Sequence, residues 1–212
     1  MKTRLGTAII AALVAVGTAG IVAQMAWAAA DFVPVPSLDK YLTPENVKKL
    51  EDGDIIKDTV LSSDAAKGDK GRGIGFVYIK AKPDKIQAAV HDFGTYPSWM
   101  PNVKTTKVTN KTAERVDVEF MLSIMGNEIQ YTTIHKVNSD GTIQWRLDDA
   151  KPKKNVSDSV GAWVFKPHGE GTIVAYVIDV DTGMSVPKII QNFLTNQSLK
   201  SVLKALRDRV GG

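Results

Sequence analysis

Side chains able to do acid–base, nucleophilic or metal chemistry are few and scattered in this chain. It has no cysteine and three histidines, His91, His135 and His168. They lie far apart, and no HExxH pair places two of them on one helix face to hold a metal. Ser185 stands in Gly183-Met184-Ser185-Val186-Pro187, without the second glycine that a nucleophile elbow needs. Asp148-Asp149 runs into the basic Lys151-Pro152-Lys153-Lys154, so the acidic pair reads as an exposed turn and not as paired catalytic carboxylates. Gly68, Gly71, Gly73 and Gly75 lead into a strand instead of opening a helix, the reverse of what a phosphate cradle requires. No catalytic residue, metal site or cofactor is expected, and the chemistry left to the chain is binding.

The elements that would position a binding site are legible from periodicity. Ser185–Val210 reads as one long helix, with Ser185 as cap, Pro187 in the first turn, and Lys204, Arg207 and Arg209 near the negative end of the dipole. Its apolar residues, among them Val186, Ile189, Leu199, Val202, Leu203, Leu206 and Val210, recur at helical spacing along one face. Before it the period is mostly two. Val116, Val118, Phe120 and Leu122 alternate with Asp117, Glu119, Met121 and Ser123, and Ile143, Trp145 and Leu147 with Gln144, Arg146 and Asp148. Further strands are expected over 54–61, 74–81, 161–166 and 172–181, and short helices over 44–50 and 83–91. Ser62–Gly73, built from Asp, Lys, Gly and Ser, reads as a flexible hairpin loop. Short turns such as Gly126-Asn127 and Asn138–Gly141 join antiparallel neighbours. The expected class is α+β, an antiparallel sheet with one face packed on the long C-terminal helix.

From about Ile74 to Val210 the chain resembles the START-like (SRPBCC) superfamily with the helix-grip fold, and most closely its polyketide cyclase/dehydrase and coenzyme Q-binding branch. The resemblance is carried by the helix Pro83–His91 and then by Phe93, Tyr96-Pro97, Trp99, Pro101 and Val103, in the pattern D-F-x-x-Y-P-x-W-x-P-x-V. It continues in Ile143-Gln144-Trp145-Arg146-Leu147, in Gly161-Ala162-Trp163 and in the terminal helix. Such a fold implies a curved antiparallel sheet wrapped around the C-terminal helix, with an internal apolar cavity between the two. The candidate ligand-binding residues are Trp99 from the turn, then Phe120, Leu122, Tyr131, His135, Trp145, Trp163, Tyr176 and Ile178 from the strands. Met184, Ile190, Phe193 and Leu194 complete the set from the helix side. Each of these has a second reading as plain core. Tyr131 and His135, four residues apart on one strand, point the same way and can orient a ligand carbonyl or hydroxyl; alternatively His135 sits near a strand end and reaches water.

The N-terminus carries a different kind of signal. Lys2 and Arg4 precede an apolar run from Leu5 to Ala23 and the small-residue sequence Ala26-Trp27-Ala28-Ala29-Ala30, the layout of a secretory signal peptide over residues 1–30. The alternative is an uncleaved anchor in the inner membrane. Residues 31–42 read as a tether and 43–212 as a single domain. Removing Lys2 and Arg4 from the 27 basic residues leaves 25 against 23 acidic ones, a net charge of +2, and no nucleic-acid footprint. The run Lys151–Lys154 offers at most a weak, transient contact with an anionic membrane surface. The expected protein is therefore periplasmic or secreted and bacterial, holding an apolar small molecule or lipid, such as a quinone, a sterol-like or a polyketide-like molecule, for transport or shielding. An aromatase/cyclase or dehydratase acting on a polyketide-like substrate is the alternative, against which the export signal argues.

Overall fold

The structure is a computed structural model that describes residues 32, 35–64, 68–181 and 198–211. Helix α1, Pro44–Glu51, begins as its sequence dictates: the Thr43 hydroxyl accepts from the Asn46 N–H at 3.3 Å and Pro44 occupies the first turn. Strands β1 (Ile55–Asp64) and β2 (Gly68–Ile79) follow, then helix α2 (Pro83–His91), a 3-10 turn (Phe93–Thr95) and the single-turn helix α3 (Tyr96–Trp99). Strands β3 (Val103–Lys111), β4 (Arg115–Ile124), β5 (Asn127–Val137), β6 (Ile143–Leu147), β7 (Asp158–His168) and β8 (Gly171–Asp181) lead to helix α4 (Ser198–Val210). Among the described residues the eight strands form one sheet in the order β1-β2-β8-β7-β6-β5-β4-β3, with every neighbouring pair antiparallel.

The inner face of this sheet packs on α2, α3 and α4, and the contact is close. A Cβ on Gly75 of β2 would lie 2.6 Å from Leu203 Cδ1 of α4, so glycine lets helix and strand approach there. Leu199, Leu203 and Leu206 have no exposed surface. Strand β2 is buried on both faces: Val77 and Ile79 join the inner core, while Ile74 and Phe76 join an outer cluster under Leu50 of α1. Leu38, Tyr41 and Leu42 pack against that outer cluster too. Double burial explains why Ile74–Ile79 is apolar throughout where β4 alternates.

Two strand boundaries differ from expectation. The segment 62–73, expected as a loop, is mostly ladder: Ser62 pairs with Lys70 and Asp64 with Gly68, and β2 is paired on its other side to β8 from Lys70↔Asp181 onward. Backbone hydrogen bonds on two sides hold β2 extended whatever its composition, which overrides its low strand propensity. Strand β7 likewise begins at Asp158 and runs to His168 because β8 accompanies it over its whole length. Of the long helix expected over 185–210, residues 198–210 are helical, and 185–197 lie outside the described residues.

Candidate functional site: an aromatic-walled cavity

The motif between α2 and β3 forms one side of the site. Phe93 and Tyr96 are buried, and the Tyr96 hydroxyl donates to the Val90 carbonyl at 2.6 Å, tying α3 back to α2. The Thr106 hydroxyl donates to the Phe93 carbonyl at 2.7 Å and fixes the turn on β3. Met100, Pro101, Asn102 and Val103 then form the rim of a cavity of about 120 Å3. Asn102 takes the left-handed conformation (φ 64°), which asparagine tolerates at small cost.

The opposite wall is built by strand register. Phe120 faces Tyr131 across β4 and β5, His135 faces Trp145 across β5 and β6, and Trp163 faces Tyr176 across β7 and β8. The rings form a nearly continuous belt. Phe120 and Tyr131 stack at 5.5 Å, Trp145 and Tyr176 at 5.4 Å, each pair 21° from parallel, and Trp163 lies 4.3 Å from Tyr176. Trp145 is opposite Gly161, and a Cβ at Gly161 would collide with the Trp145 six-membered ring and the Val177 carbonyl. The glycine is thus what allows the indole to lie against the sheet. The Trp145 Nε1–H points to Ser159 Oγ at 3.4 Å.

Among the described residues the polar atoms on this wall are few and uncharged. His135 is 6% exposed, with Nε2 2.8 Å from the Thr133 hydroxyl, while Nδ1 is buried without a hydrogen-bond partner. Its ring lies 4.6 Å from Phe93, 6.3 Å from Phe120 and 6.2 Å from Trp145. Burial in this aromatic surround, helped by His91 and opposed by Asp117, pushes its pKa down to about 3, so the imidazole is neutral at physiological pH. Burial raises the phenols of Tyr96, Tyr131 and Tyr176 above their ordinary range, and the neighbouring Tyr131 adds to the effect on Tyr176. All three remain protonated. Among the described residues, no Asp, Glu, Lys or Arg lines the cavity. Among the described residues there is also no group of three or more His, Cys, Asp or Glu placed to share a metal ion.

The structure brings eight of the sequence candidates together on this cavity: Phe120, Leu122, Tyr131, His135, Trp145, Trp163, Tyr176 and Ile178. The reading of His135 as a strand-end residue reaching water is overturned, because β5 is paired on both sides and Phe93 covers the ring. Trp99 does not line the cavity. Its ring sits edge-on to Tyr96 at 5.1 Å and its Nε1–H reaches Thr95 Oγ1 at 3.2 Å, so it buttresses Tyr96 from behind. Met184, Ile190, Phe193 and Leu194 lie outside the described residues. Sequence reasoning missed Tyr96 and Met100–Val103, which arrive from the turn, and Thr133, which shares the inward parity of its strand and carried that signal all along; Ser159 it missed because the strand expected over 161–166 begins at Asp158. It also missed the second contributor from the loop before β7, Asn155-Val156. In that loop Lys153 is held by Asp149 and by the Ser157 carbonyl, and Lys154 by Glu128.

No curated protein sequence matches this chain. Among solved structures it is similar to a STAR-related lipid transfer protein from Xanthomonas axonopodis, with 20% identity and a TM-score of 0.58 over 73% of this chain and 99% of that chain. It is similar to human StAR-related lipid transfer protein 5 as well, at 15% identity and a TM-score of 0.57 over 90% and 96% of the two chains. The Zhui aromatase/cyclase from Streptomyces sp. R1128 matches at 12% identity and a TM-score of 0.51, over 73% and 94%. At such identities the likeness is one of fold, and that fold is the START-like helix grip. Residues 75–211 match the family described as polyketide cyclase/dehydrase and lipid transport. That match spans well over half of the 212 residues, and this START-like chain belongs to that family.

Proposed function

We propose that this is an exported protein that holds a neutral, largely apolar ligand, a lipid or a polyketide-like molecule, in the cavity between sheet and helix and carries or shields it. The observation that carries this reading is the wall itself: stacked aromatic rings, no charged side chain among the described lining residues, and a histidine kept neutral. A charged ligand would leave its ion unpaired there, whereas apolar surface gains about 25 cal/mol per Å2 on entering. Relatives described as lipid transfer proteins and a family described by lipid transport support the same reading. Export rests on Lys2, Arg4, the apolar run and the A-x-A site.

Protein recovered from the periplasm without detergent tests both halves in one measurement. Native mass spectrometry is expected to give an N-terminus between Ala29 and Asp31 and a bound neutral mass that solvent extraction removes. Full-length protein retained in the inner membrane overturns the cleaved signal. Recovery free of any ligand, with no uptake of added lipid, overturns the carrier. A second reading, cyclase or dehydratase, is favoured by one observation: a neutral His135 whose Nδ1 is unpaired, on the same strand as Tyr131. It takes over if a candidate substrate is converted and His135→Gln stops conversion while binding persists.

A further inference from the structure

The chain from 32 to 53 precedes the stretch that matches the family, residues 75–211, yet its described residues cross the outer face of the sheet strand by strand. The Phe32 ring lies 5.9 Å from the Arg146 guanidinium of β6. Asp39 reaches Lys166 of β7 at 3.9 Å. Leu38, Tyr41 and Leu42 pack on the cluster that β8 and β2 share, with the Tyr41 ring 5.2 Å from that of Phe76. Because β2, β8, β7 and β6 are neighbours in that order, the contacts advance steadily toward the β1 edge. Helix α1 continues the crossing. Asn46 Nδ2 donates to the Tyr41 carbonyl at 2.8 Å, Leu50 has no exposed surface, and Glu51 Oε1 lies 2.8 Å from His168 Nε2 at the end of β7.

At the β1 edge this segment meets the helix of the opposite face. Gly53 follows α1 in the left-handed conformation (φ 97°), which a glycine adopts without strain. Its carbonyl accepts from Arg207 Nη1 of α4 at 2.8 Å. Arg207 stands in the last turn of α4, while Ser198 and Val202, at the other end of the described helix, line the cavity. One hydrogen bond thus ties a strap on the outer face to the helix that walls the cavity from the inner face. The polar attachments of the strap are solvent-exposed, and exposed contacts of this kind open at low cost, as those of moving parts must.

We propose that residues 32–53 are a brace that sets how readily α4 opens, and through α4 how fast a guest leaves the cavity. The second half rests on the binding reading above; the brace itself does not. While the strap holds Gly53 in place, Arg207 pins the last turn of α4, and any movement of the helix away from the sheet must pivot on that point or break it. With the tie cut, α4 is held by its apolar face, where Leu199, Leu203 and Leu206 have no exposed surface. Loosening the strap at Tyr41, on the other side of the sheet, should therefore act on α4 in the same direction as cutting the tie at Arg207. Such a response at a distance is a coupling between two sites, and it separates a brace from a merely local contact.

Native-state hydrogen exchange of the α4 amides and fluorine NMR line shapes of added fluorobenzene test the two halves on wild type, Arg207→Gln, Tyr41→Ser and Arg209→Gln. Arg207→Gln is expected to speed exchange of the α4 amides and release of fluorobenzene about fivefold each, the size of one net hydrogen bond. Tyr41→Ser is expected to speed both at least about twofold. Arg209→Gln, which removes an equal charge from the same exposed helix end, should leave both at wild-type values. Should Tyr41→Ser unfold the protein, Arg207→Gln, a change at an exposed hydrogen bond, still decides. Amides of α4 that exchange alike in wild type and Arg207→Gln overturn the brace, whatever the cavity holds. Acceleration of the same size in Arg209→Gln assigns the effect to helix charge and also overturns it. Faster amides with unchanged fluorobenzene release overturn the step from helix to cavity. If fluorobenzene does not bind the wild type, the binding reading is what fails, and the amides still decide the brace.

Discussion

His135 is the residue at which burial decides both chemistry and stability. Alternation alone puts it on the inner face beside Tyr131, but whether a residue near a strand end reaches water depends on what covers it, and the cover is Phe93, 42 positions earlier in sequence. Its ordinary pKa of 6.5 falls to about 3 in the folded protein. Between those values the unfolded chain binds a proton that the folded one refuses, so stability rises with pH. The contribution is intact above about pH 6.5 and is lost as pH falls toward 3; at pH 5 the expected loss is about 2 kcal/mol. His91, lowered by partial burial and by Lys111, acts in the same direction. Urea unfolding at pH 7.5 and pH 5.0 should therefore show that His135→Gln loses less stability on acidification than the wild type, by about 2 kcal/mol. Parallel pH dependences would mean that His135 is protonated in the fold.

At the scale of elements, the strands were legible wherever one face meets water and the other the core. Val116, Val118 and Phe120 are buried as their alternation requires. Legibility failed where pairing, not side chains, makes the strand, as over 62–73, and where a single glycine does steric work. Gly161 stood in the quoted Gly161-Ala162-Trp163 motif, but only the register places it against Trp145. Gly161→Ala has nowhere to put its methyl: the Trp145 ring and the Val177 carbonyl occupy that volume. One of these neighbours is backbone in a sheet paired on both sides, so the indole must move. The expected cost is about 3 kcal/mol, at the upper end for overpacking, accompanied by a shift in tryptophan emission because a cavity wall has been displaced. A variant with wild-type melting and emission would show that Trp145 is not packed on Gly161.

For the whole molecule, the order of elements, the antiparallel meander and the role of the C-terminal helix all followed from periodicity and turn spacing. What closes the cavity did not, because residues brought in by the α2–β3 turn and by the loop before β7 share no periodicity with the strands they complete. The division between scaffold and cavity nevertheless makes a test on two substitutions. Leu203 has no exposed surface and its Cδ1 packs at Gly75, so it belongs to the joint between helix and sheet. Leu203→Asp forces a carboxylate into that joint with no partner, and about 4 kcal/mol or more of destabilisation is a large share of the ~5–15 kcal/mol that holds a domain together. Cooperative unfolding should be lost or its midpoint fall steeply. Leu122, by contrast, is half-buried and faces the open space of the cavity, so Leu122→Trp has room to extend. It is expected to melt within a few degrees of the wild type, about 1 kcal/mol or less, yet to bind an apolar probe such as toluene at least about tenfold more weakly, since the indole occupies the ligand's volume. If Leu122→Trp unfolds the protein and Leu203→Asp does not, the helix joint and the cavity have been assigned to the wrong residues. Equal toluene affinity in a folded Leu122→Trp would place the binding volume elsewhere in the molecule.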